Sequence, residues 1–414
     1  MTIRTVGLLA LAAGTGAAQA ETIRIAQFNA AMNRGEAGQL AADLASGVDP
    51  QIRAVAEIVQ RVDPDILLIN EIDYAPGNPP LLVENYLAVP QDASGAGPGT
   101  PVVYPHTFTA PSNTGQQSGL DLDGDGAPGG PGDAYGFGFF EGQFGMAVLS
   151  KFDIREEEVR TFREFLWRDM PGARLPVAED GTPFYSEEQL AELRLSSKSH
   201  WDVPIDVNGR IIHLLASHPT PPVFDGPEDR NGLRNADEIR LFADYVAGAG
   251  YIVDDEGVAG GLAPGESFVV AGDLNSDPED GDSLPGAAQQ VTENPLIQDP
   301  LPASEGGPDA ARRQGGANAA QSGDPALDTA DFNDDGAGNL RVDYVLPSTD
   351  LDVTGAGVFW PEATDPLFPL VGDFPFPSSD HRLVYVDVEV APIPVPGGLP
   401  LLAGALGLLL IRRL

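Results

Sequence analysis

Ser267-Phe268-Val269-Val270-Ala271-Gly272-Asp273-Leu274-Asn275 decides how this chain is read. Its opening residues form a short apolar run, the signature of a strand buried on both faces. A carboxylate (Asp273) and an amide (Asn275) follow at once. Polar groups at the end of a buried strand can point into a cleft. Working outward, the same arrangement recurs. Asp65–Asn70 is apolar and is followed by Glu71. Ile211–Ser217 is followed by His218. Thr22–Phe28 alternates in strand fashion and leads to Asn29. Leu340–Leu346 carries Asp343 within it, and Asp380-His381 precedes Val384–Val390. Gly145–Ser150 and Val203–Val207 complete the set of strands. Asn208-Gly209 between two runs marks a hairpin. Pro50–Val62 and Arg234–Val246 have helical spacing of their apolar residues. Strands outnumber helices, and hairpins mix with helix crossovers, which predicts two packed sheets with helices outside.

The 414 residues carry a formal charge of −39 and no cysteine. That excludes disulfide scaffolds, thiol nucleophiles and thiolate metal sites. It also argues against a passive nucleic-acid coat, since such a surface repels polyanions. Lysines are confined to Lys151 and Lys198.

The two ends read as addresses. Residues 1–20 hold Arg4, an apolar run and Ala18-Gln19-Ala20, the order of a secretory signal peptide. Residues 392–414 hold a Pro-rich lead, an apolar stretch and Arg412-Arg413. This tail resembles bacterial VPLPA/PEP-type sorting signals; a plain membrane anchor is the alternative. Both readings predict an exported protein, at the cell surface, in the periplasm or outside the cell. Residues 21–391 are expected to form one domain, a monomer, with Gly-, Pro- and Asp-rich insertions at about 75–135, 155–198, 276–338 and 350–378. Two insertions hold acidic loops, 121–126 and 331–336, where alternating oxygen ligands can wrap a structural Ca²⁺. The equally plain reading is a solvated turn.

Carboxylates without cysteine suit a hard cation such as Mg²⁺ or Mn²⁺. Remaining acids and histidines are then free for proton transfer and charge stabilisation on a phosphate.

Taken in order, Gln27-Phe28-Asn29, Ile69-Asn70-Glu71-Ile72, Ser217-His218-Pro219, Gly272-Asp273-Leu274-Asn275, Val342-Asp343-Tyr344 and Ser379-Asp380-His381 resemble the endonuclease/exonuclease/phosphatase superfamily. The resemblance spans about 350 residues. It implies the deoxyribonuclease I-like α+β fold, a four-layer α/β/β/α sandwich of two mixed sheets. It implies metal ligation by Glu71 and Asp380 with Asn29 supporting metal and phosphate. It implies that His381 contacts the phosphate, that Asp343 orients His381, and that Asp273 positions the attacking water. Asn275 would donate to the phosphate, and His218 would serve as general acid. Ala31 stands where repair-type members have an acid, which favours a single main metal.

Three further residues are candidate substrate contacts. His200 precedes a strand and can face the cleft or serve as a cap. Arg230 and Arg234 near a helix start can meet phosphate, or else pair with Glu228, Asp229, Asp237 and Glu238. The expected activity is an exported, metal-dependent phosphoesterase, foremost a phosphodiesterase or nuclease; a nuclease would need Arg230, Arg234 and Lys198 clustered at the cleft. The alternatives are a phosphomonoesterase, a sphingomyelinase-like phospholipid hydrolase and, more distantly, a non-catalytic calcium-binding surface module.

Overall fold

A computed structural model describes residues 20–391. The proposed leader and the sorting tail from residue 392 onward lie outside the described residues. Two six-stranded units carry the fold. The first sheet runs β13-β14-β1-β2-β4-β3, with β1 Glu21–Met32, β2 Ile66–Ile72, β3 His106–Phe108, β4 Met146–Ser150, β13 Asp352–Val358 and β14 Val384–Val390. The second runs β12-β9-β8-β7-β5, with β6 beside β7. Here β5 is Asp153–Ile154, β6 Arg160–Thr161, β7 His200–Val207, β8 Arg210–Ser217, β9 Ser267–Asp273 and β12 Asp343–Pro347. A two-residue pair, β10 Ala330–Asp331 and β11 Asn339–Leu340, stands apart.

Each sheet has one parallel pair at its middle, β1 with β2 and β8 with β9; the other pairings are antiparallel. A parallel pair needs a crossover. Helix Pro50–Val62 supplies the first and helix Arg230–Val246 the second. The first helix starts where its sequence says it should. Asp49 caps it by accepting from the Ile52 amide at 2.9 Å, and Pro50 opens the first turn, where no amide hydrogen is needed. Ile52, Val55, Ile58, Val59 and Val62 form the stripe it buries.

Alternation along β9 shows the layering. Val269 and Ala271 belong to the core shared with the first sheet, whereas Phe268 and Val270 pack with Phe242 and Tyr245 of the helix behind. Phe108 of β3 meets Trp201 of β7 edge to face at 5.1 Å, across the two sheets. The result is the expected helix–sheet–sheet–helix sandwich. The hairpin at Asn208-Gly209 forms with both residues at positive φ, 55° and 92°.

The sequence reading differs in two places. Leu340–Leu346 is not one strand, because Arg341 and Val342 leave the ladder between β11 and β12. The segment 350–378, expected to be an insertion, contributes β13. Its Gly355 and Gly357 make the pattern too sparse in apolar side chains to read as a strand.

Candidate active site

Asn29, Glu71, His218 and Asp273 stand near or just beyond the carboxyl ends of the four central strands, the two parallel pairs. Local backbone sets them there. Gly272 lies so close to Ser217 of β8 that a Cβ would collide with the Ser217 carbonyl, and its φ is 157°. Only glycine lets β9 approach β8 and deliver Asp273 beside His218. Glu71 and Asn275 both occupy the left-handed region, with φ 59° and 51°. Non-glycine residues pay a strain there, which the surrounding contacts must offset.

A chain of polar contacts then runs across both sheets. His381 Nδ1 lies 2.8 Å from Asp343 Oδ2, and its Nε2 lies 3.7 Å from Asp273 Oδ2. His218 Nε2 lies 3.3 Å from that same Asp273 oxygen. Asn29 Nδ2 donates to Asp273 at 2.9 Å, and Asp273 Oδ1 accepts from the Asn275 amide at 2.9 Å. Ser379 Oγ donates to the Asn29 carbonyl at 2.7 Å, which sets Asp380 beside Asn29. Thr329 Oγ1 donates to Asp343 at 2.9 Å.

These contacts polarise the two histidines in opposite directions. Burial alone would lower His381, but Asp343, Asp273 and Asp380 together hold it well above the usual imidazole range. His381 is therefore a cation at neutral pH. His218 is pulled down to about 4, by burial first and then by Lys198, with Asp273 opposing. Its Nδ1 is buried and unpartnered. Asp273 is held below the usual carboxylate range, because His381 and His218 outweigh its burial.

Glu71 is different again. Burial, opposed by His381 and reinforced by Asp380, raises it to about 7. Its carboxylate has no hydrogen-bond partner among the described residues, and Asp380 has one contact, with Ser379 at 3.5 Å. Two uncommitted carboxylates that repel one another are what a divalent cation would relieve. Asp273, Asp343 and His381 also bring ligand atoms within 4.8 Å of one another. Those three already bind each other, whereas the Glu71 and Asp380 carboxylates are left without an ion pair among the described residues.

The other candidate contacts fall elsewhere. His200 is fully buried; Ser196 Oγ meets its Nδ1 at 2.7 Å and the Glu238 carbonyl meets its Nε2 at 2.9 Å. Both ring nitrogens are spent inside the protein. Arg234 donates to the carbonyls of Leu195, Tyr135 and Arg194, and Arg230 pairs with Glu228. The amide of Asn231 in the first turn of that helix donates to Asp225 at 2.6 Å. His200 and Arg234 are thus bonded within the protein, and Arg230 places one guanidinium nitrogen on Glu228. In loop 331–336, Asp331 pairs with buried Arg382 at 3.1 Å. In loop 121–126, Asp121 accepts from the amides of Gly124 and Gly126.

Sequence reasoning missed several residues here. Gln27 Nε2 bridges Asn70 Oδ1 at 2.8 Å and Asp343 Oδ1 at 3.0 Å, joining the two sheets under the site. Buried Gln27 and Asn70 in otherwise apolar strands were the available signal. Phe332 stands edge to face with His381 at 5.4 Å.

A sequence profile of the Endonuclease/Exonuclease/phosphatase family matches residues 26–381. Curated protein sequences give no significant match. Among solved structures, the chain is similar to an endonuclease/exonuclease/phosphatase from Beutenbergia cavernae, at 17% identity and TM-score 0.46, over 89% of this chain and 72% of that one. It is similar to the magnesium-bound beta toxin of Staphylococcus aureus, at 14% identity and TM-score 0.42, covering 89% and 99% of the two chains. A mannosyl-6-phosphatase from Bacteroides thetaiotaomicron is similar at 12% identity and TM-score 0.43, covering 88% and 99%. With the profile spanning every motif from the first strand to His381, the chain belongs to the endonuclease/exonuclease/phosphatase family of metal-dependent phosphoric ester hydrolases.

Proposed function

We propose that this protein is an exported phosphodiesterase acting on a small or amphiphilic phosphate ester rather than on a polynucleotide. The observation that carries the phosphoesterase part is the Asp343–His381–Asp273–His218 chain lying beside uncommitted Glu71 and Asp380. Glu71, Asp380 and Asn29 would hold a divalent ion such as Mg²⁺ or Mn²⁺, which supplies positive charge to the phosphate oxygens. His381, charged and oriented by Asp343, donates to a nonbridging oxygen as negative charge develops there. Asp273, ionised between two imidazoles, orients the attacking water. His218 rests neutral, so it cannot give up a proton until an anionic phosphate lies beside it and raises its pKa. The general-acid role expected of His218 is thereby tied to bound substrate.

Two features argue for the substrate class. Of the three cations that a nucleic-acid reading needs at the cleft, Arg230, Arg234 and Lys198, the two arginines bond to Glu228 and to backbone carbonyls, and the net charge is −39. The exposed phenylalanines also stand on loops that deliver site residues. Phe224 follows His218, Phe374 precedes Asp380, and Phe137 and Phe139 lie on the loop that bonds Asp73 and Tyr74 beyond Glu71. Exposed aromatic side chains on the loops that carry site residues fit a substrate with an apolar portion.

The test is a panel of bis(p-nitrophenyl) phosphate, a phosphatidylcholine dispersion, nucleotides and plasmid, each with Mg²⁺, Mn²⁺ or Ca²⁺. Metal-dependent turnover of the first two above plasmid is expected. Plasmid cleavage as the fastest reaction would replace this reading with a nuclease, and no turnover at all would remove the phosphoesterase reading.

A further inference from the structure

Of the two lysines, Lys151 is ion-paired with Asp63 and Asp65, whereas Lys198 forms no ion pair with a described residue. Yet Lys198 is the buried one, 7% exposed. Its ammonium makes a single long hydrogen bond, 3.4 Å to the Pro219 carbonyl. An ammonium has three protons to place, and buried donors left unmatched are costly. That carbonyl is also the acceptor for Asn275 Nδ2, at 3.2 Å. Two donors, one cationic and one neutral, thus converge on one oxygen next to His218.

The backbone around Lys198 is fixed. Asn113 donates its amide to the Lys198 carbonyl at 2.9 Å. Glu238, fully buried, uses both carboxylate oxygens on amides: Ser197 at 2.6 Å and Thr220 at 2.6 Å. It ties the residue before Lys198 to the residue after Pro219. Glu238 forms no ion pair with the ammonium; its held position acts through those two amides. Burial lowers the ammonium's pKa, and the charges of Glu238, Glu71 and Asp273 oppose that, so the side chain is within electrostatic reach of the site's acids.

We propose that Lys198 is a phosphate-binding residue of this site, its ammonium taking a nonbridging oxygen of the bound ester alongside Asn275. This rests on the phosphoesterase reading above. It places a second fixed cation on the phosphate, opposite in origin to His381: one comes from the entrance to β7, the other from the entrance to β14. It also gives the site an anion-binding group that cannot come from the metal. Glu238 is then a positioning residue, acting on Lys198 and on the His218 turn through the backbone.

Having only two lysines makes the test direct. The full chain labelled with ¹⁵N-lysine is titrated with inorganic phosphate in Mg²⁺, and the two side-chain signals are followed by NMR. The Lys198 signal is expected to shift and saturate while that of Lys151 stays still. In parallel, Lys198→Gln should weaken phosphate binding by calorimetry about tenfold or more, raise KM, and leave Tm close to wild type, with Lys198→Arg restoring part of the affinity. A Lys198 signal that does not move in an enzyme that turns over substrate would overturn the proposal. So would unchanged phosphate affinity in a folded Lys198→Gln protein. If the glutamine variant does not fold, the wild-type titration still decides. Absence of metal-dependent turnover in the wild type would instead strike the phosphoesterase reading, independently of the lysine signal.

Discussion

At the scale of single residues, charge states make the sharpest predictions. His381 is raised above its unfolded value of about 6.5, so its ion pair stabilises the fold fully below that pH. The contribution is lost as pH rises through the higher, folded value. Asp343→Asn should remove this alkaline dependence, bring the His381 titration down by NMR, and cut kcat/KM about 100-fold or more. An unchanged His381 titration would show that Asp343 does not hold it. Glu71 behaves in the opposite sense. The unfolded state releases that proton near 4.5 and the folded state near 7, so metal-free stability falls across that window. Glu71→Gln should therefore raise the metal-free Tm at pH 8, by up to ~3 kcal/mol of stability, while abolishing both turnover and the Tm gain from Mg²⁺. A lower Tm in that variant would contradict the burial cost assigned to the glutamate. Which polar residues mattered was legible for those placed by strand ends, such as Asp273 and His218. His200 and Lys198, two positions apart, were both cleft candidates, and the sequence did not separate them. What separates them is the Glu238 carbonyl, which captures the imidazole, and no local pattern announces a contact 38 residues away.

The two crossover helices form the next scale, and they are not equivalent. Pro50–Val62 shows its cap and apolar stripe openly, and its boundaries follow from the sequence. Arg230–Val246 begins a turn earlier than its apolar spacing suggests, because its first turn is polar and its inner face carries buried Asn235, Asp237 and Glu238. Asn235 donates to the carbonyls of Thr220 and Leu274, and Asp237 receives the Trp167 indole at 2.8 Å. A polar inner face reads as a solvated one in sequence, since partners 15 to 70 residues away are invisible there. This helix is a brace for the loops bearing His218 and Asn275. Glu238→Gln puts an NH₂ where an amide hydrogen now finds an oxygen. It should cost ~1–3 kcal/mol of stability and lower kcat more than it raises KM. A variant with wild-type Tm and kcat would show that the brace is dispensable.

Over the whole molecule, net charge outweighs any single contact. At −39 the compact state repels itself, and only part of that repulsion is offset by local ion pairs. Raising NaCl from about 0.05 M to about 1 M should raise Tm, because the Debye length falls from over 10 Å to ~3 Å. A flat or falling Tm would mean that specific pairs outweigh the global field. The two-sheet architecture was readable because buried strands announce themselves by unbroken apolar runs. The edge strands were harder. β13 spends its length on Thr354, Gly355 and Gly357, as suits a strand with one exposed flank.

The pairing of β1 with β14 orients the molecule. Glu21 lies opposite Val390 at one end, and Gln27 lies opposite Val384 at the other. Both ends of the described body thus lie at one pole, and Asn29 and His381 lie at the other. The separation is on the order of 25 Å along the strand. A solid support coupled at Glu21 or Val390 would therefore hold the body by its far pole and leave the site end uncovered, which makes that end of the strand pair the place to immobilise the protein.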